Sequence, residues 1–257
     1  TFILRFFQVA LSEGFLFVCR NVAKSENNPL ELHELAFSMG VIVLYDLFNK
    51  KICLRTIVCL LLILLAWKRI LFLALMSYLF IKIFESKKNS KRFLKIVSCL
   101  LFISSIAYML LLVTGVFQQI MDYFHINTTG RNEVYFLVVS QLDLNSICYG
   151  KGLGWIVDSL YKLKNNTRGY SDLHNDILKM FIGFFCGFVF WYLFFITVPR
   201  MLVKKIGVKT ASFYYSVLVY ELILFFTDNV IRYQLVILTI VITTMLVKDV
   251  CCEHTKE

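Results

Sequence analysis

"ICLRTIVCLLLILLAWKRILFLALMSYLFIKIF", residues 52–84, decides the fold class. Two apolar runs, about Ile52 to Trp67 and Ile70 to Phe84, are separated only by Lys68 and Arg69. Neither alternates apolar and polar residues as a half-exposed strand must, and each approaches the length at which a helix crosses roughly 30 Å of hydrocarbon. Comparable runs recur at about Leu35 to Phe48, Phe93 to Phe117, Asp176 to Val198, Ala211 to Thr227 and Tyr233 to Val247. The pattern implies an all-α polytopic membrane protein.

Composition agrees. Of 257 residues, 59% are hydrophobic and 16% aromatic, with only two prolines, and the mean hydropathy is +0.72. A soluble domain with charged faces is far less apolar. The formal net charge of +10 does not point to nucleic acid, because the basic residues punctuate apolar runs and so anchor and orient them. Eight cysteines show no paired CxxC motif or Cys/His ligand spacing. Cys53, Cys59, Cys99 and Cys186 lie in apolar stretches and read as small core residues. The opening stretch Phe2 to Val18 carries Arg5 and Glu13, and the chain starts at Thr1. The chain therefore reads as the later portion of a longer protein, a single transmembrane domain over 1–257 whose first helices precede Thr1.

The short basic segments set the orientation. "NKKICLR", "ESKKNSKR" and "RMLVKKIGVK" fall on one side by alternation, and their lysines and arginines make that side the cytoplasm. "WKR", the long polar region 118–173 and "TDNVIR" then face outward. That region holds five basic and five acidic residues, so it has no positive bias to keep it inside. Within it, "NEVYFLVVSQL" has the length for about three helical turns, and "YGKGLGW" is a turn with Gly150, Gly152 and Gly154. A loop of this length with local structure of its own is usually functional.

"YSDLHNDILKMFIGFFCG", residues 170–187, places a histidine between acidic side chains at the mouth of an apolar helix. With Asp172 or Ser171 as N-cap, His174 falls in the first turn, where unpaired N–H groups and the positive dipole end attract anions and disfavour imidazolium. A neutral imidazole can accept a proton, and Asp172 or Asp176 could orient it. A histidine that merely hydrogen-bonds at a wet interface is the alternative. Gly183 and Gly187 form a small-xxx-small pattern that admits a close neighbour. Arg69, Arg131 and Arg168 would share the outward side with His174, and guanidinium groups can clamp a diphosphate. Arg69 and Arg168 equally suit interfacial anchoring or a solvated loop. Asp228 and Arg232, in "TDNVIR", could contact sugars or form a local ion pair.

The order of these pieces resembles the O-antigen ligase and Wzy-type polysaccharide polymerase family. A "KR" at an outer helix end is followed by a further span and a large outer loop opening with "GR". Then come "GKGLGW" and "LHN" entering a helix with glycines. The resemblance covers essentially the whole chain. It implies a multi-span, GT-C-like membrane glycosyltransferase in the bacterial cytoplasmic membrane, with its site facing the periplasm or cell exterior, serving O-antigen, capsule or lipopolysaccharide synthesis. It implies metal-independent inverting transfer of a glycan from undecaprenyl diphosphate to a sugar hydroxyl of another lipid-linked repeat unit, with no cofactor. On this resemblance His174 is the general base, Arg131 and Arg69 hold the diphosphate, and Arg168, Lys151, Asn175 and Asp172 bind substrate. The implied partners are the lipid-linked oligosaccharide, the bilayer, a chain-length regulator and a flippase, and no nucleic acid. A ligase using the same donor, and a transporter of lipid-linked sugars, are the alternatives.

Overall fold

The computed structural model describes residues 33–66, 69–79, 90–125, 131–142, 149–163, 173–183, 185–226 and 228–253. The opening stretch Phe2 to Val18, Cys148, Arg168 and Asp172 lie outside them. The described residues are helical throughout, with no strand among them. The helices are α1 (His33–Phe48), α2 (Leu54–Ala66), α3 (Arg69–Leu75), α4 (Ser90–Val113), α5 (Val116–Tyr123), α6 (Arg131–Val139), α7 (Leu153–Lys162), α8 (Asp176–Gly183), α9 (Phe185–Phe225) and α10 (Gln234–Glu253). The chain divides into two compact units. The first holds α1 to α3, residues 203–224 of α9, and α10; the second holds α4 to α8, residues 185–202 of α9, and the turn 225–229.

Two expectations need correction. The basic segment "RMLVKKIGVK" is not a loop, because α9 runs through it unbroken. Lysine and arginine are good helix formers, and α9 continues through the interior Pro199 although that residue lacks an N–H and crowds the preceding turn. The orientation drawn from that segment as a loop loses this support. The run Phe93 to Phe117 is not one straight helix either. It breaks at Thr114 and Gly115, and α5 leaves at 87° to Ser98–Val113. Gly115 has φ +73°, the left-handed region that glycine enters without a Cβ clash. Among the described residues no single helix is long and apolar enough to cross a membrane, while this bent pair reaches that length and composition.

In the first unit, α1 is the central helix, packed against α2 and α10. Phe37, Val41, Leu44 and Phe48 recur at helical spacing and are buried. Phe213 meets Phe48 at 5.2 Å and Tyr45 edge-on at 6.3 Å. Tyr220 is fully buried, and its hydroxyl donates to the Phe37 carbonyl at 2.7 Å. Buried polar groups here are mostly hydroxyls, including Ser38, Ser77, Ser212 and Ser216. Ser77 and Ser216 share a 3.3 Å hydrogen bond. Conversely, Leu54, Ile57, Leu61 and Leu64 on α2, and Leu238 and Met245 on α10, are exposed. The unit thus turns apolar side chains outward as well as inward, with small hydroxyls among those inside. Cys59 is buried, whereas Cys53 and Cys99 are exposed and do not fill a core as expected.

A polar pin closes the α1–α2 hairpin. Thr56 Oγ1 accepts the Cys53 N–H at 3.2 Å, half of a capping box, and donates to Asp46 Oδ2 at 2.7 Å. The Arg55 guanidinium pairs with the same carboxylate. Asp46 and Thr56 are buried, but the Arg55 side chain is 55% exposed. Asp46→Ala is expected to destabilise by about 1–3 kcal/mol, the cost of stranding a buried polar partner. Arg55→Ala should cost less than about 1 kcal/mol, as for exposed pairs. Thermal unfolding of the two variants checks the order.

Candidate functional site

The second unit builds a polar cluster around the start of α8. Asn175, fully buried, caps the helix: its Oδ1 accepts the Leu178 N–H at 2.9 Å. The expected cap at Asp172 or Ser171 is replaced by this one, and His174 lies just before the helix rather than in its first turn. Asn175 wins because its short amide reaches the third N–H of the helix. Asp176, buried, opens the helix, where the dipole favours a carboxylate.

His174 is held from several sides. The Tyr135 hydroxyl on α6 donates to the His174 carbonyl at 2.8 Å. Asn175 Nδ2 donates to the Tyr108 hydroxyl on α4 at 3.0 Å, and that hydroxyl donates to the Phe226 carbonyl at 3.4 Å. The Tyr108 ring meets Phe117 and Phe226 edge-on at 5.3 and 4.7 Å. The His174 carbonyl and the Asn175 side chain are thereby tied to α6 and α4.

Among the described residues, Asp228 sets a carboxylate beside the imidazole; Asp172 lies outside them. His174 Nδ1 stands 3.7 Å from Asp228 Oδ1, an ion-pair distance rather than a hydrogen-bond one. Asp228 is buried, while the histidine side chain is 32% exposed. The Nδ1 atom itself is buried, so the exposure belongs to the rest of the ring. Asp228 Oδ1 also accepts the Asn229 N–H at 2.8 Å, and Asn229 Oδ1 accepts Lys179 Nζ at 2.7 Å. Lys179 lies one turn along α8 from Asn175, so it ties the turn 228–229 to the helix that carries the histidine. A base partnered by an oriented carboxylate is the chemical minimum for removing a proton from a hydroxyl.

Arg131 begins α6, one turn before Tyr135 and on the same helical face. It is half-buried, with its Nε inside the protein. Arg131 thus shares α6 with Tyr135, whose hydroxyl reaches the His174 carbonyl. Arg69 begins α3 in the first unit. Lys151 lies in the second unit but at the far end of α8. Its backbone N–H donates to the Ile182 carbonyl at 2.9 Å, and Gly152 N–H donates to Gly183 at 3.3 Å. These bonds engage the Lys151 and Gly152 N–H groups with α8 rather than presenting them to a phosphate. The Lys151 ammonium is exposed and sits 6.0 Å over the Trp155 ring. Among the described residues no group of three or more His, Cys, Asp or Glu side chains could hold a metal ion.

Sequence reasoning missed Tyr108, Tyr135, Lys179 and the pairing of Asp228 with His174. The one signal was Asp228-Asn229 in a short turn between apolar runs, which marks a polar pair with few local partners.

Asp228→Asn keeps the shape and the Asn229 contact while removing the charge. If Asp228 positions His174 as a catalytic base, kcat of the reaction that the base serves should fall about 10- to 100-fold, inside the roughly 10²–10⁴ span of general-base catalysis, with KM unchanged. A purely structural role would move both or neither.

No protein-family model, curated protein or solved structure matches the chain.

Proposed function

We propose that the chain is a membrane glycosyltransferase that lengthens a polysaccharide, moving a glycan from undecaprenyl diphosphate to a sugar hydroxyl of another lipid-linked repeat unit. The observation that carries this reading is the His174–Asp228 pair, locked by Tyr135, Asn175 and Tyr108, with Arg131 one turn from Tyr135. His174 Nε2, the nitrogen not turned to Asp228, takes the proton of the attacking hydroxyl. The hydroxyl oxygen bonds the anomeric carbon as the bond to the diphosphate oxygen breaks, and the electron pair leaves with the lipid diphosphate. Asp228 stabilises the imidazolium, which later gives its proton to water. Arg131 holds the diphosphate and balances its growing charge. One displacement inverts the anomeric centre.

A membrane setting, with a GT-C-like arrangement, is supported by the outward apolar faces of α2, α4 and α10 and the inward hydroxyls. A helix bundle in lipid gains nothing by hiding leucine, so its core is free to hold small polar residues.

The test supplies purified protein in lipid nanodiscs with lipid-linked repeat units alone. Ladders of increasing length support polymerisation. Product formed only when a different acceptor is added assigns the chain to a ligase. Absence of any transfer, with lipid-linked units crossing the bilayer, assigns it to a transporter.

A further inference from the structure

Ile96, Leu100, Ile103, Ile106 and Leu110 recur along α4 at helical spacing, and each is more than a third exposed. From Ile96 to Leu110 they form one stripe of about 21 Å, at roughly 1.5 Å per residue. Single exposed leucines are ordinary, but a stripe of this length marks a surface with an apolar partner. In the membrane setting proposed above that partner is lipid, and α4 stands along the bilayer normal. The stripe ends near the elbow, where Gly115, in the left-handed region, turns the chain through 87° into α5. A helix that leaves α4 at a right angle cannot lengthen the crossing. It lies in the plane of the bilayer, at the depth where the apolar stripe stops.

The make-up of α5 fits that plane. At about 100° per residue, Val116, Phe117, Ile120, Met121 and Tyr123, with Phe124 at the C-cap, fall within an arc of about 160°, and Gln118, Gln119 and Asp122 occupy the remainder. The polar edge is engaged: Gln118 Nε2 donates to Asp122 Oδ1 at 2.8 Å, and Gln118 and Gln119 line a groove against α6. The apolar arc faces back along α4, because Phe117 meets the Tyr108 ring edge-on at 5.3 Å and Tyr108 lies more than a turn before Val113, the last residue of α4. Beyond that contact the arc is open. Tyr123 is 79% and Phe124 63% exposed, with their rings edge-on at 5.2 Å. An apolar arc turned toward the hydrocarbon, polar residues on the other side and a tyrosine at the tip describe a helix that floats at the head-group boundary, where a phenol ring meets acyl chains and its hydroxyl meets water.

We propose that α5 is an interfacial helix whose arc from Val116 to Phe124 binds the boundary between head groups and acyl chains of a phospholipid bilayer. The inference rests on the membrane setting proposed above and not on the reaction. It also gives the histidine cluster a depth. Phe117 joins α5 to Tyr108, whose hydroxyl accepts Asn175 Nδ2, and Tyr108 lies roughly 7–8 Å along α4 from its end.

The experiment uses the full chain at one copy per lipid nanodisc, with two photoreactive phosphatidylcholines, one carrying a diazirine close to the glycerol and the other at the end of an acyl chain. Labelled peptides are mapped by mass spectrometry. The deep probe should mark α4 around Ile103 and Ile106. The shallow probe should mark α5, at least about fivefold over the deep one. Tyr123 and Phe124 are well exposed, so replacing both by serine should spare the fold; it should lower shallow labelling of residues 116–122 at least about threefold and leave deep labelling of α4 unchanged. A shielded α5 beside a deeply labelled α4 overturns the interfacial helix and keeps the membrane setting, and if copies then pair through α5 in discs that hold two, the face belongs to a second copy. Equal marking of α5 by both probes overturns the interfacial depth. Absence of label from both helices removes the membrane setting and the inference together.

Discussion

His174→Ala is expected to stop glycan elongation while leaving the fold intact. The side chain is a third exposed, and its backbone carbonyl, which the variant keeps, is the group that Tyr135 binds. Loss of a positioned base lowers the rate by about 10²- to 10⁴-fold. Because Arg131 remains, lipid-linked donor should still bind, so the loss falls on kcat. Imidazole added at tens of millimolar should restore part of the rate, since the variant leaves space beside Asp228 for a free base. Elongation assays with and without imidazole check both points. Equal rates for the variant and the wild type would remove the histidine from the mechanism.

Gly40→Ala should have the largest effect on stability. A Cβ at position 40 would overlap the Tyr220 hydroxyl oxygen and stand 2.8 Å from its Cζ. Tyr220 is fully buried and donates to the Phe37 carbonyl, so its rigid ring cannot swing aside without losing that bond. Overpacking costs about 1–3 kcal/mol, and stranding the hydroxyl about 1–3 kcal/mol more. The unfolding midpoint should fall by roughly 5–15 °C, at about 2–4 °C per kcal/mol for a chain of this size. Tyr220→Phe alone should cost less, and combining it with Gly40→Ala should recover part of the loss, because removing the hydroxyl relieves the nearest contact. Additive losses would mean that the two residues do not meet. A double-mutant cycle by thermal unfolding reads this directly.

The helical class was legible because apolar runs without alternation leave no other backbone arrangement open. The helix over "NEVYFLVVSQL" and the glycine turn before Trp155 were also legible, each from local signals of period or left-handed backbone. Boundaries set by competition were not. Asn175 displaced Asp172 and Ser171 as cap because three residues of cap chemistry lie within five positions, and only the fold selects among them. The continuous α9 was hidden because lysines mark a loop in hydropathy yet favour helix in propensity. For the site, the histidine at a helix mouth could be read from sequence, but its carboxylate partner could not. Asp228 is far away in sequence and reaches His174 only because Lys179 and Asn229 draw the turn against α8. Tyr108 and Tyr135 were invisible for the same reason, since an aromatic residue in an apolar helix shows no sign that its hydroxyl is engaged.

The most direct measurement is a single-turnover reaction on purified protein with undecaprenyl-diphosphate-linked oligosaccharide, counting released undecaprenyl diphosphate against new glycosidic bonds and reading the configuration of each new bond by NMR. One lipid diphosphate per bond, inverted configuration and loss of both signals in His174→Ala are expected. Retained configuration, or undiminished bond formation without the imidazole, would contradict a single displacement driven by His174.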